Sequence, residues 1–152
     1  MSEPHILKRE IWIPRPLDGT FAFFSNVENL ELLTPPWLRF EIVTPRPIPL
    51  AAGTKLIYQI RWHGIPLRWT TEITRWEPPN VFEDVQLDGP YRMWHHTHRF
   101  EAEHEGTRIT DIVRYQLPLG WLGRAAHALT VRRNLEQIFD YRSSRMMALF
   151  GA

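Results

Sequence analysis

All 13 prolines of this 152-residue chain lie at or before Pro118, and that asymmetry limits what the chain can fold into. Proline fixes φ and lacks an amide donor, so it marks the ends of regular elements. Pro14, Pro16, Pro35, Pro36, Pro45, Pro47, Pro49, Pro78, Pro79 and Pro90 punctuate the first part into short segments. From Leu119 to about Phe150 there is no such interruption. Val131, Leu135, Ile138, Phe139, Met146 and Leu149 recur there at three- and four-residue steps, which predicts one long helix with a buried face.

The segments before it read mostly as strands. Residues 6–13 form a first one, and Pro14 to Asp18 introduces a short helix capped by Asp18 or Thr20, with Phe21, Phe24 and Val27 as its apolar stripe. A second short helix covers Asn29–Leu33. Alternating β-branched and aromatic runs follow at 38–44, 54–63, 66–77, 81–88, 91–102 and 107–117. Short turn-like separators such as His63-Gly64, Asp88-Gly89-Pro90 and Glu105-Gly106 join neighbours as antiparallel hairpins. The expectation is an α+β fold in the order β-α-α-β6-α: a curved antiparallel sheet of about seven strands around a long C-terminal helix. That helix is the one element able to cover the sheet's buried face. The length suits one domain, residues 1–152, with one core.

Seven Trp and eight Phe supply either a bulky solid core or an aromatic-lined cavity. With 18 basic and 17 acidic residues, the chain gives no electrostatic case for nucleic acid. Arg124, Arg132, Arg133, Arg142 and Arg145 crowd the last segment, where they read as the solvated face of the helix. The absence of cysteine excludes disulfides, thiolate nucleophiles and Cys-based zinc sites. The opening MSEPHILKRE has no apolar run of the signal-peptide kind and no segment approaches a membrane span, so a cytoplasmic protein without membrane insertion is expected. No G-x-S-x-G, P-loop, dinucleotide fingerprint or H-E-x-x-H occurs.

Three of the seven histidines fall within four positions of YRMWHHTHRF, residues 91–100. Alternate side chains of a strand share a face. Trp94, His96, His98 and Phe100 therefore point inward, while Met93, His95, Thr97 and Arg99 point out. On the next strand Ile109, Asp111, Val113 and Tyr115 share a face, which sets Asp111 in the same wall as His96 and His98. A buried carboxylate needs a partner, and an imidazole can supply one. Tyr58 and Trp69 either line a pocket or pack against the closing helix. Arg142 falls on that helix's apolar stripe, so it either meets Asp111 or an acidic ligand, or snorkels to the helix edge. The histidines and Asp111 can satisfy one another, orient a polar group on an apolar ligand, or act as general acid and base. A metal site would need a third His or a second carboxylate, and neither is placed by the strand pattern.

The order of elements and the stretches 21–45, 63–101 and 106–123 resemble the START/Bet v 1-like (SRPBCC) superfamily, in particular its bacterial polyketide cyclase/dehydrase-like branch. The resemblance implies a helix-grip fold and a single START-like ligand-binding domain. It implies a small hydrophobic partner (lipid, isoprenoid or polyketide-like) between sheet and helix, with no cofactor and no metal. The expected ligand-binding set is His96, His98, Asp111, Trp94, Tyr115, Tyr58, Trp69 and Arg142. The alternative is a cyclase/dehydratase-type enzyme using His96 and His98 with Asp111. Oligomeric state is not specified by either reading.

Overall fold

The structure, a computed structural model, describes residues 3–151. Seven strands form one antiparallel sheet: β1 (His5–Ile13), β2 (Glu41–Ile42), β3 (Lys55–Trp62), β4 (Ile65–Glu77), β5 (Val81–Asp88), β6 (Met93–Glu103) and β7 (Gly106–Gln116). Their order is β1-β7-β6-β5-β4-β3-β2, so the first strand closes onto the last and the rest is a meander of hairpins. Register shifts between β4 and β5 mark two bulges, one at Leu87 of β5 opposite Thr70/Thr71 and one at Thr74 of β4. Such bulges increase local twist and bend the sheet toward its concave face.

Two short helices, α1 (Leu17–Phe24) and α2 (Leu30–Leu33), connect β1 to β2. Neither Asp18 nor Thr20 caps α1: the helix starts directly after Pro16, and Thr20 Oγ1 donates to the Pro16 carbonyl at 2.7 Å from inside it. Proline at the N-cap places Asp18 in the first turn instead, where its charge favours the helix dipole. Of the run 38–44 only Glu41–Ile42 is regular strand: a 3-10 turn over Pro36–Leu38 and a left-handed Arg39 (φ 48°) precede it, and beyond it the Val43 and Thr44 amides both donate to the Ile57 carbonyl.

The C-terminal segment begins with α3 (Trp121–Ala126), loosens into a π-helical turn over His127–Val131 and continues as α4 (Arg132–Phe150). Leu135, Phe139 and Met146 are buried beneath it, but Leu149 is 38% exposed. The inner place at this end goes to Phe150, whose ring packs edge-on against Phe23 at 4.7 Å.

Two apolar clusters fill the grip. One joins Ile13, Phe21, Phe24, Phe100, Ile109 and Met146 into a solid core. The other gathers Val113, Tyr115, Leu135 and Phe139 toward the opposite end. No helix among the described residues is long and apolar enough to cross a membrane.

Candidate functional site

Along β6 the inward row runs Trp94, His96, His98, Phe100, from an open end of the grip to its solid core. The register sets His96 between Asp84 and Val113, and His98 between Phe82 and Asp111. Each imidazole reaches the diagonal carboxylate: His96 Nε2 lies 2.8 Å from Asp111 Oδ1, and His98 Nε2 lies 2.7 Å from Asp84 Oδ2. These opposite reaches bring the rings into a stack with centroids 3.7 Å apart, much closer than the roughly 7 Å repeat of one strand face. Phe82 covers the other side of His98 at 4.0 Å, nearly parallel.

Arg142 comes down from α4 onto the same spot. Its Nε lies 3.8 Å from Asp111 Oδ2, and its guanidinium carbon sits 5.9 Å from the Phe24 ring centroid. The side chain does not snorkel: Arg142 is only 9% exposed. The basic face expected for this helix therefore excludes its most central arginine.

Burial works against every charge here, and the partners decide each outcome. At Asp111 the Arg142 charge and the two imidazole contacts outweigh desolvation, holding the carboxyl well below its ordinary range. Asp84 is also lowered, since the His98 hydrogen bond and the surrounding cations together exceed its own burial penalty. His98 is desolvated too, yet two carboxylates raise it above the ordinary histidine value. His96 is lowered by burial and by the neighbouring His98 charge. Two carboxylates thus face Arg142 and two unlike imidazoles: His98 holds a proton more readily than an ordinary histidine, and His96 less readily.

Asp84 was not among the expected site residues. Its signal in β5 was weak: Phe82, Asp84 and Gln86 share one face, while Val81, Val85 and Leu87 make the opposite face the more apolar. With it, Asp84, His96 and His98 bring ligand-type atoms within 4.8 Å of one another, the composition of a two-histidine, one-carboxylate metal set. As folded, both Nε2 atoms are already hydrogen-bonded to carboxylates, and Arg142 provides the positive charge that a cation would bring. The donor set is better matched to protons than to an ion.

Two adjoining hollows border the cluster. The larger, about 320 Å³, lies between the sheet and α4 and is lined by Tyr58, Trp62, Trp69, Trp94, Leu135 and Phe139 among other mostly apolar groups. The smaller, about 120 Å³, is bordered by Asp84, His96, His98 and Ile73. Tyr58, Trp94, Leu30 and Arg142 line both and form the neck between them. Burial pushes the Tyr58 phenol well above its usual range, with the nearby Asp84 charge adding to it, so it stays neutral.

Of the expected set, Tyr58, Trp69, Trp94 and Arg142 border the larger hollow, and His96 and His98 the smaller. Asp111 is 3% exposed and lines neither hollow, meeting them through the imidazoles and Arg142. Tyr115 is separated from the cluster: its hydroxyl lies 2.7 Å from His127 Nε2 on the π-helical turn, and His127 stacks on His5 of β1 at 3.4 Å.

The same fold occurs in solved proteins with little sequence in common. A protein of Thermus thermophilus is 22% identical with a TM-score of 0.69, over 95% of this chain and 99% of that one. Ginseng major latex-like protein 151 from Panax ginseng is 10% identical with a TM-score of 0.71, over 98% and 99%. A nucleoside-diphosphate sugar epimerase from Corynebacterium glutamicum is 23% identical with a TM-score of 0.70, over 93% of this chain but only 28% of its own length. No curated protein sequence matches the chain. A family model described as polyketide cyclase / dehydrase and lipid transport matches residues 13–139, and the chain belongs to that family.

Proposed function

We propose that the protein encloses a small, largely apolar molecule (lipid, isoprenoid or polyketide-like) between the sheet and α4. The observation that carries this reading is the hollow of about 320 Å³ with walls of Trp, Tyr, Leu and Phe and few polar groups. Its size falls within the roughly 300–1,000 Å³ of small-molecule pockets, and its chemistry is theirs: apolar walls with a few placed polar groups. Trp69, Trp94 and Tyr58 supply the flat surfaces, and Arg142 with the histidine–carboxylate cluster supplies the polar end. Family membership supports a hydrophobic ligand; the residues that touch it are this proposal's own.

Native mass spectrometry of protein purified from its own host should show a retained apolar molecule. The neutral probe 1-aminoanthracene should bind and quench tryptophan emission, and Ile60→Trp, which fills the larger hollow, should abolish both signals. A bare mass together with no probe binding would refute the reading.

A second reading has one specific observation behind it. His96 and His98 border the smaller hollow with their proton affinities pushed in opposite directions, the arrangement that separates a base from an acid. In a cyclase or dehydratase His96 would accept a proton and His98 would donate one. His96→Gln or His98→Gln would then abolish turnover of a carbonyl substrate while product affinity persists. A pure binder would show only modest changes in affinity.

A further inference from the structure

We propose that the enclosed molecule ends in a carboxyl group, which seats on the Arg142 guanidinium at the neck and enters together with one proton. This rests on the reading that the hollow holds a ligand and adds the chemistry of its end group.

The geometry supplies donors without acceptors. Arg142 is nine-tenths buried, yet its Nε has no hydrogen-bond partner among the described residues, and its side chain's best anionic contact is 3.8 Å away. Asp111, the carboxylate it faces, is already committed to His96 at 2.8 Å and approached by His98 Nδ1 at 3.4 Å. A guanidinium carries five N–H donors in a fixed fork that matches two carboxyl oxygens. What surface Arg142 keeps borders both hollows, so an end group at the neck meets that fork. Trp69, which lines the larger hollow, adds a second buried N–H without a partner. Its ring packs on Tyr58 at 5.7 Å and on Trp94 at 5.1 Å, the two aromatic residues of the neck.

The proton follows from charge closure. The groups facing one another are Asp84 on β5, His96 and His98 on β6, Asp111 on β7, Arg142 on α4 and the neutral Tyr58 on β3. Asp84 and Asp111 already match all the positive charge that Arg142 and one protonated imidazole can supply, so no cation is left over for a ligand. An added carboxylate would leave one uncompensated charge in a site walled by aromatic rings, and such a charge is neutralised in practice by a proton. Either the acid keeps its own or His96 takes one; the count is one per ligand in both cases.

Titration calorimetry of decanoic acid and methyl decanoate between pH 6 and pH 8 tests this. The acid should bind at least tenfold more tightly than the ester at pH 6. Its affinity should fall about tenfold per pH unit, the slope of one linked proton, while the ester's stays flat. Arg142→Met should erase the acid's advantage, and Arg142→Lys, which keeps the charge without the fork, should retain part of it. Circular dichroism checks that the variants fold, and the pH series on the unaltered protein decides the matter if they do not. Ester binding equal to or tighter than acid binding, or an acid affinity that does not fall with pH, overturns the carboxyl proposal and leaves the enclosed apolar ligand standing. Binding of neither molecule counts against both.

Discussion

Asp111→Asn isolates the charge at the hub of the cluster while keeping its shape. Asparagine retains one acceptor for His96 but removes the negative charge shared by His96, His98 and Arg142. Arg142 then faces the cluster with its nearest counter-charge gone, leaving the more distant Asp84 and the ring of Phe24. Removing one partner of a buried ion pair costs about 3–5 kcal/mol, because the survivor is left desolvated and uncompensated. For a chain of this length that corresponds to a fall in midpoint of about 6–20 °C.

The pH dependence carries a sign. Asp111 is held below its ordinary value, so its contribution is complete above the usual carboxylate range and is lost as pH falls through the lower folded value. The gap between the two proteins should therefore be wide at pH 7 and close in acid. His98 behaves oppositely: its raised value gives stability that is complete below about pH 6.5 and is lost as pH rises through the folded value. In Asp111→Asn that alkaline decline should flatten, since one of the two carboxylates raising His98 is gone. Urea unfolding from pH 3 to pH 9 measures both effects. Pairing the change with Arg142→Met should cost less than the sum of the two singles, since no guanidinium is then stranded. A loss below about 1 kcal/mol at pH 7, or strict additivity, would refute the picture of a buried, coupled hub.

Three further outcomes follow from other parts of the molecule. Gly106→Ala should destabilise by about 1–3 kcal/mol in urea unfolding, because an added Cβ would lie 2.3 Å from the Ile13 carbonyl oxygen and 2.6 Å from the Trp12 ring. A neutral result would mean that β1 shifts freely at that end. Zinc or ferrous ion at modest excess should leave the thermal midpoint unchanged, since both Nε2 atoms are hydrogen-bonded to carboxylates and Arg142 stands beside Asp111; a rise of several degrees would show that the ion displaces the protons. Ile60→Trp should lose 1-aminoanthracene while its midpoint stays within a few degrees, because the added ring fills space rather than displacing packed atoms. A large loss of stability there would mean that the wall has no room to give.

The fold was legible because its signals are local. Proline placement marks element ends, and strict alternation in β6 and β7 assigns Trp94, His96, Asp111 and Val113 to one face before any packing is known. Leu149 shows the limit of periodicity: the α4 pattern includes it, but the helix end is set by Phe150 packing against Phe23 and Phe24. Asp84 was missed for another reason. Alternation names the face of a residue but not the diagonal it reaches across, and the pairing of His98 with Asp84 depends on the offset between β5 and β6. The side-chain path of Arg142 was equally open. A helix stripe tells which turn faces the sheet, but the inward guanidinium depends on the tertiary contacts with Asp111 and Phe24.

The cluster's place in the wall bears on what it is for. Its neighbours along β6 and β7 are Trp94 and Phe100, Ile109 and Val113, which hold the sheet to the helices by apolar packing. Apolar residues of similar volume would close the gap at His96, His98, Asp84 and Asp111 as well or better, since buried ion pairs rarely outperform packed hydrocarbon. Stability therefore gives little reason for four ionisable groups and an arginine at this depth. Their position gives a better one. They stand where the solid core ends and the hollow begins, with the imidazoles lining the smaller hollow and Arg142 at the neck. A polar group on an enclosed molecule would meet hydrogen-bonding partners there and along few other stretches of the wall. The stability cost and the location together favour a role toward a ligand over a role in holding the sheet, and the contrast between Asp111→Asn and the decanoic acid series separates the two.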